Sequence, residues 1–383
     1  MKKKKVILVG AYGCGNKGDD AILEGILYSL NDIYDFSVVA GNYGGIEEKF
    51  NVKTIQCRMN EGLTIEVIGN LLKFFPKYLL QCFKSDYVLI GGGSLLHDIT
   101  RYNLLFFSLL QKIAEICGNK VIYIGTGAGP INTNLGKFLC KNVIGKAEKI
   151  FVRDIPDYRL LKKIGLKNIE LVADMAFTIK TEKKLAKDIL NQYGLEKKKY
   201  IVVTACEWFK SDNFWNKEKM DFTFQKRKLA NLLEMLSNKS EMPIVFLPTV
   251  FHDYKLGKEL QNLIPDIKMI VLPHTYDCSQ MAALVAESWI LFGIRMHSII
   301  FAIRAGIPFI TSIYDSKVES LIKRCNMEKY VIDFEDVQIE NINNLIEDIK
   351  NNESIITQNL NKKAEILRKK AQKAIIYMRE KDK

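Results

Sequence analysis

Val6-Ile7-Leu8-Val9-Gly10-Ala11-Tyr12-Gly13-Cys14-Gly15-Asn16-Lys17-Gly18-Asp19-Asp20-Ala21-Ile22 passes from strand to turn to helix in one short stretch. Residues 6–9 are apolar and partly β-branched, the composition of a strand buried on both faces. Residues 10–18 are a glycine-rich turn, and residues 19–30 place apolar side chains at helical spacing. A second apolar run at 36–40 completes a βαβ opening. Working outward, similar runs end in turn signals at 87–90 before Gly91-Gly92-Gly93, at 121–124 before Gly125, and at 149–152 before Arg153-Asp154. Strands that alternate with helices predict a parallel sheet covered on both faces.

After Asp174 the pattern restarts, with strand runs at 200–204, 243–247, 268–272, 289–292 and 308–311 and helical stretches at 225–237 and 279–286. A chain of 383 residues is also long for a single core. The expected fold class is therefore α/β, with two Rossmann-like domains facing a central cleft. The first domain is expected over 1–178 and the second over 179–345, followed by a basic helical tail over 346–383 that packs back on the first. The charged segment 181–199 is the expected junction, with 183–193 alternatively the first helix of the second domain. In doubly wound sheets ligands gather outside the carboxyl ends of the strands, so the motifs should cluster there.

Composition sets the outer bounds. With 48% hydrophobic residues, 26% charged and 8 prolines, the chain is globular, which excludes collagen-like and low-complexity classes. Its 56 basic and 44 acidic residues leave a net charge of +12, a field that attracts phosphorylated metabolites, nucleic acid or an acidic membrane face. Eight cysteines lie scattered without a Cys-x-x-Cys pair, and read as reduced, mostly buried small hydrophobes. Four apolar residues after Lys2 to Lys5 are too few for a signal core, so a cytoplasmic protein is expected.

The turn after the first strand fits neither common phosphate-binding pattern. A Walker loop needs Lys-Ser/Thr after its last glycine, whereas Gly15 precedes Asn16-Lys17-Gly18, and no acid ends the second strand as a dinucleotide fingerprint requires. What remains is a backbone-rich turn at a helix start, suited to a phosphate or to sugar hydroxyls, with Asp19 either a ligand or the helix N-cap. Gly91-Gly92-Gly93-Ser94-Leu95-Leu96-His97-Asp98 lets backbone approach a ligand closely or simply turns, and His97 and Asp98 are either a crevice pair or a surface pair. Arg153-Asp154 sets a cation beside a carboxylate at a strand end, for binding or for mutual neutralisation. The most informative stretch is Leu291-Phe292-Gly293-Ile294-Arg295-Met296-His297-Ser298, followed after a helix by Tyr314-Asp315-Ser316-Lys317. Arg295 and His297 flank a helix start, where the positive end of the dipole adds to Arg295 and Lys317. That combination is an anion site with a titratable group in it.

Read in chain order, these pieces resemble the polysaccharide pyruvyl transferase family, whose members ketalate sugars of bacterial cell-wall and capsular polymers. They are Gly15-Asn16-Lys17-Gly18-Asp19-Asp20, Gly91-Gly92-Gly93-Ser94-Leu95-Leu96-His97-Asp98, Val152-Arg153-Asp154, Ala173-Asp174, Phe246-Leu247-Pro248 with Asp253, Arg295-Met296-His297-Ser298 and Tyr314-Asp315-Ser316-Lys317-Val318. The resemblance spans about residues 5–325. It implies a GT-B-like fold, phosphoenolpyruvate as co-substrate with no other cofactor and no metal, and a lipid-linked or polymeric glycan acceptor. It also implies that Arg295, His297 and Lys317 act at the donor, with Arg153 facing them and Ser298 alongside. Asp19, expected as a catalytic residue, falls on the acceptor side together with Asn16, Gly91, Gly92, Gly93, Ser94 and Asp98, which are expected to bind substrate. One departure stands out: where the family usually has Arg and an aromatic after the second domain's first strand, this chain has Thr204-Ala205-Cys206-Glu207-Trp208.

Independently of kinship, the residues suit the chemistry. Phosphoenolpyruvate carries a carboxylate and a phosphate; Arg grips either bidentately, Lys is a point charge, and His can donate to phosphate. Two accessory features bear on the acceptor. Residues 63–84 are apolar and basic, with Pro76 expected to divide them into two short helices that either pack in the core or lie on an anionic membrane through Lys73, Phe74, Phe75 and Lys77. Trp208, Phe209, Phe214 and Trp215, with Lys210 and Lys217, either stack on a sugar or fold on themselves. Two alternatives stand beside the transferase: a GT-B nucleotide-sugar glycosyltransferase with Glu319 on the ribose, and a non-enzymatic binder of anionic polymers. The aromatics are not interleaved with a basic groove, so nucleic acid is not an expected partner.

Overall fold

The computed structural model describes residues 3–41, 45–57, 65–100, 102–182, 184–206, 222–313, 315–333 and 339–381. Leu63, Thr64, Glu207, Tyr314 and the aromatic loop with Trp208, Phe209, Lys210, Phe214, Trp215 and Lys217 lie outside the described residues. The chain divides into two compact units, Met1–Ile179 with Leu367–Lys383, and Lys180–Ile366.

Unit 1 runs β1 (Lys4–Tyr12), α1 (Lys17–Leu30), β2 (Tyr34–Ala40), α2 (Ile46–Phe50), β3 (Lys53–Gln56), α3 (Ile65–Cys82), β4 (Tyr87–Gly91), β5 (Ser94–Leu96), α4 (Asn103–Ile116), β6 (Lys120–Ala128), α5 (Asn134–Asn142), β7 (Lys149–Val152), α6 (Ile155–Ile164) and β8 (Ile169–Leu171). Its strands are ordered β3-β2-β1-β4-β6-β7-β8, with β5 paired to β6, and every pairing is parallel. Val6, Ile7, Leu8 and Val9 are all buried, as a central strand with helices on both faces must be.

Unit 2 runs α7 (Lys184–Tyr193), β9 (Ile201–Thr204), α8 (Phe222–Ser240), β10 (Ile244–Phe246), α9 (Phe251–Leu263), β11 (Met269–Val271), α10 (Cys278–Glu287), β12 (Ile290–Gly293), α11 (Met296–Ala305), β13 (Phe309–Ile310), α12 (Ser316–Cys325) and α13 (Ile339–Glu380). Its parallel sheet is ordered β11-β10-β9-β12-β13. The order reverses between β1 and β4 in unit 1 and between β9 and β12 in unit 2. Those reversals open a crevice at the strand carboxyl ends of each sheet, where the connecting loops diverge.

Three local expectations are corrected. The final helix begins at Ile339 rather than 346; its Ile342, Ile346 and Ile349 are buried in unit 2, and from Leu367 it belongs to unit 1. There the Tyr34 hydroxyl donates to the Met378 carbonyl at 2.6 Å and the Tyr377 hydroxyl to Glu148 at 2.6 Å. Pro76 does not split its segment: α3 is one helix through it. An interior proline costs about 3 kcal/mol, and the buried stripe Phe74, Tyr78 and Cys82 on the neighbouring turns offsets it. Phe74 is therefore core and cannot touch a membrane, whereas Lys73 and Lys77 are exposed.

All eight cysteines are free and six are buried. Burial pushes the thiols of Cys57, Cys82, Cys140 and Cys325 up to about 12, which keeps them unreactive. Among the described residues no helix is long and apolar enough to cross a membrane.

Candidate active site

In unit 1 the crevice between β1 and β4 is built by the two glycine-rich turns. Tyr12 ends β1 and its hydroxyl donates to the Gly91 carbonyl at 2.6 Å, tying the first turn to the second. Burial, with Asp19 nearby, raises the Tyr12 phenol well above its ordinary value, so it stays a neutral donor. The N-cap of α1 is Asn16 and not Asp19: the Asn16 side-chain oxygen accepts from the Gly18 amide at 3.0 Å, while its amide group donates to Asp19 at 2.8 Å. Asp19 is thus buried in the first helical turn, where the dipole favours a carboxylate. Gly93 has φ +60°, and a Cβ there would meet Asp19 Oδ1 at 2.6 Å. Only glycine lets Asp19 look into this crevice.

Asp20 is oriented differently. Its Oδ1 accepts from the Gly13 amide at 2.8 Å and holds the turn. Burial raises its carboxyl to about 6, with Asp19 and Glu24 adding to the rise and the Gly13 amide and Lys17 opposing it. A folded-state pKa above the unfolded one means that the native protein binds the extra proton. Stability is therefore lost as pH climbs from about 4 through about 6, by up to about 3 kcal/mol. Asp20→Asn, which keeps an acceptor for Gly13, is expected to raise the melting temperature at pH 7.5 and to leave it nearly unchanged at pH 4. A loss at both pH values would show that the hydrogen bond outweighs the burial of charge.

Several predicted ligands are engaged in the fold instead. Arg153 is only 3% exposed; it donates to Asp174 at 2.8 Å and to Ser94 Oγ at 3.1 Å, and its Nε lies 3.2 Å from Asp154. Burial alone would lower its pKa, but Asp174, Asp154, Asp157 and Asp19 raise it overall. The guanidinium is a fixed buried cation that anchors Ser94, not an exposed grip for a donor. Asp98 accepts from the Asn132 and Thr133 amides and the Thr133 hydroxyl, at 2.9, 2.7 and 2.7 Å to Oδ2. Burial would raise its carboxyl, yet those bonds bring it below the ordinary value, and its role is to seat the start of α5. Gly91 and Gly92 shape the turn through their backbone. Asp19, Gly93, Ser94 and His97 all line one cavity of about 540 Å³.

In unit 2 the predicted donor residues all lie at the carboxyl edge of the sheet. Arg295 is the N-cap residue of α11, without a capping side-chain bond, and His297 stands in that helix's first turn. An uncapped helix start is where an anion is best received. Arg295 donates to Asp253 Oδ1 at 3.0 Å while 31% of its side chain stays exposed. Asp253 is itself fixed: its other oxygen accepts from the Thr249 hydroxyl and amide and the Val250 amide at 2.8, 3.1 and 2.9 Å. Lys317 sits in the first turn of α12, whose cap Asp315 accepts from the Lys317 amide at 2.9 Å. Ser298 is fully buried; its hydroxyl donates to the Arg295 carbonyl at 2.7 Å and lies 2.6 Å from Thr204 Oγ1. It therefore fastens the α11 start to β9.

The edge holds more than the motifs showed. His252 in the first turn of α9 and His274 after β11 join His297, so three of the chain's four histidines follow strand ends of one sheet. The Phe251 ring lies 6.1 Å from His252 and 6.3 Å from His274. A repeated strand-Leu-Pro pattern, Phe246-Leu247-Pro248 and Val271-Leu272-Pro273, precedes each of the two and is the sequence signal that could have found them.

The chain is similar to several known proteins. The amylovoran biosynthesis protein AmsJ of Erwinia amylovora is 23% identical, with 86% of this chain and 88% of that protein aligned. Among solved structures, the UDP-GlcNAc 2-epimerase of Neisseria meningitidis bound to UDP-GlcNAc superposes with a TM-score of 0.62 at 13% identity, over 98% of this chain and all of that one. A glycosyltransferase from Rickettsia africae gives 0.58 at 14% identity, over 98% and 95%. Likeness at such identities establishes the fold, two Rossmann-like domains of GT-B type, and not an activity. Residues 16–316 match the sequence profile of the polysaccharide pyruvyl transferases, a span that runs from the end of the first glycine-rich turn through the second and the Arg295-Met296-His297-Ser298 segment, and the chain belongs to that family.

Proposed function

We propose that the protein transfers the enolpyruvyl unit of phosphoenolpyruvate to a sugar of a bacterial polysaccharide precursor and closes it into a pyruvate ketal. Membership of a pyruvyl transferase family makes it a transferase of polysaccharide biosynthesis; the donor and the ketal are the steps proposed. The observation that carries the reading is Arg295, aimed by a buried carboxylate, beside His297 at an uncapped helix start and with Lys317 in the next helix's first turn. Such a cluster receives a small dianion. Glu319, which a nucleotide-sugar enzyme would need for ribose, is engaged by Lys323 one turn along α12.

The reaction adds a proton to the methylene carbon of phosphoenolpyruvate and a sugar oxygen to its central carbon. The central carbon–phosphate oxygen bond then breaks and phosphate leaves. A second hydroxyl attacks the same carbon, and the two hydroxyl protons go to base and phosphate. Arg295 and Lys317 hold the anionic groups, and His297 exchanges the proton. The acceptor, a lipid-linked or polymeric glycan at the cytoplasmic face of the membrane, is assigned to unit 1 beside Asp19, Asn16 and the Gly91-Gly92-Gly93-Ser94 turn.

Calorimetric titration tests the donor assignment. Arg295→Ala is expected to weaken phosphoenolpyruvate binding tenfold or more, since a charge-assisted contact is worth about 1.5–3 kcal/mol. Unchanged affinity in the folded variant moves the donor elsewhere. Phosphate release from phosphoenolpyruvate, measured with and without lipid-linked disaccharides, tests the reaction itself.

A further inference from the structure

The lining of the 540 Å³ cavity of unit 1 is of two chemical kinds. Asp19, Gly93, Ser94 and His97 form one. Hydrocarbon forms the other, chiefly Leu71 and Phe75 of α3 and Leu105, Phe106 and Leu109 of α4. The volume is that of a small-molecule site, about 300–1,000 Å³. Apolar walls of this extent do not suit a bare sugar, whose hydroxyls would give up water for nothing. Nor do protein interiors keep such space empty without cost, because their packing is close to that of organic crystals. An amphiphile suits both kinds of lining at once.

The surface around the cavity points the same way. Leu105 and Leu109, which line the cavity, are 46% and 44% exposed, so the apolar lining reaches the surface along α4. On α3 and just beyond it, Leu72, Leu80 and Phe83 are each at least 60% exposed, and Lys73, Lys77 and Lys84 stand exposed among them. An apolar surface studded with lysines is complementary to an anionic bilayer. Phe75 and Phe106, edge to face with centroids 6.4 Å apart, line the cavity behind it.

We propose that this cavity binds the hydrocarbon chain of a lipid-linked glycan, taken in past Leu105 and Leu109, so that the head group lies at Asp19, Gly93 and His97. The proposal rests on the acceptor being assigned to unit 1, but its test does not use phosphoenolpyruvate. The full-length protein is titrated with 11-(dansylamino)undecanoic acid, whose fluorescence rises and shifts to the blue in apolar surroundings. Saturable binding at one site per chain is expected, with displacement by dodecyl phosphate roughly 250-fold better than by octyl phosphate, since each of the four extra buried methylenes is worth about fourfold. Leu105→Gln with Leu109→Gln, both at the exposed mouth, should weaken the probe at least tenfold with little change in melting temperature, and Leu71→Trp should block it by filling the cavity. Binding that does not saturate, displacement indifferent to chain length, or affinity unchanged in both folded variants overturns the proposal. Failure here leaves pyruvyl transfer standing, and failure of phosphate release leaves the chain-binding result standing.

Discussion

His297→Gln is expected to lower turnover by about a hundredfold or more while moving the melting temperature by no more than about 2 °C. General acid–base catalysis commonly contributes about 10² to 10⁴ in rate, whereas a half-exposed side chain in a helix's first turn adds little to stability. Glutamine keeps a donor and an acceptor of similar reach but does not titrate near neutrality. The affinity for phosphoenolpyruvate should therefore change far less than the turnover. A loss of stability matching the loss of activity would make His297 a packing residue. Retained activity would hand the proton to His274 or His252, which share the same sheet edge.

The sheets were legible because parallel strands buried on both faces are written as unbroken apolar runs. Residues 149–152 form β7 over the expected span, and the runs at 243–247 and 289–292 form β10 and β12 within a residue or so. β3 and β8 were not legible: Lys53-Thr54-Ile55-Gln56 and Ile169-Glu170-Leu171 are short edge strands whose apolar runs are broken by polar or charged residues, three of four in the first and one of three in the second. Pro76 misled because a propensity rule was outweighed by the buried stripe on either side of it. Within the site, sequence spacing placed Arg295, His297 and Lys317 at helix starts but could not show what holds them. Asp253 lies 42 positions from Arg295, and only the order β10-β9-β12 brings their strand ends to one edge. The same holds for Ser298 and Thr204, 94 positions apart and 2.6 Å from each other. Motifs therefore mark residue types and leave open whether each faces a ligand or another side chain.

Arg153 is where that difference is largest, and Arg153→Met should destabilise the protein by about 3–5 kcal/mol. For a folding unit of this size that is a fall in melting temperature of roughly 10 °C. The reason is the company it keeps: Asp174 and Asp154 are nearly as buried as Arg153, with 7% and 8% of their side chains exposed. Removing the cation leaves two carboxylates desolvated without a counter-charge, a greater loss than the attraction between the pair was worth. Methionine fills similar volume, so the effect reads charge rather than cavity. Asp174→Asn in the Arg153→Met background should then recover part of the loss, because one orphaned charge is gone while the amide oxygen still accepts from the Ala176 amide at 2.9 Å. Activity should decline only as the folded fraction declines, apart from whatever Ser94 loses when its donor at 3.1 Å goes. A fall in activity with melting temperature unchanged would instead return Arg153 to the donor site. The physical distinction is simple: a cation that binds a substrate needs water or ligand on one side, and Arg153 has carboxylates and a serine hydroxyl there.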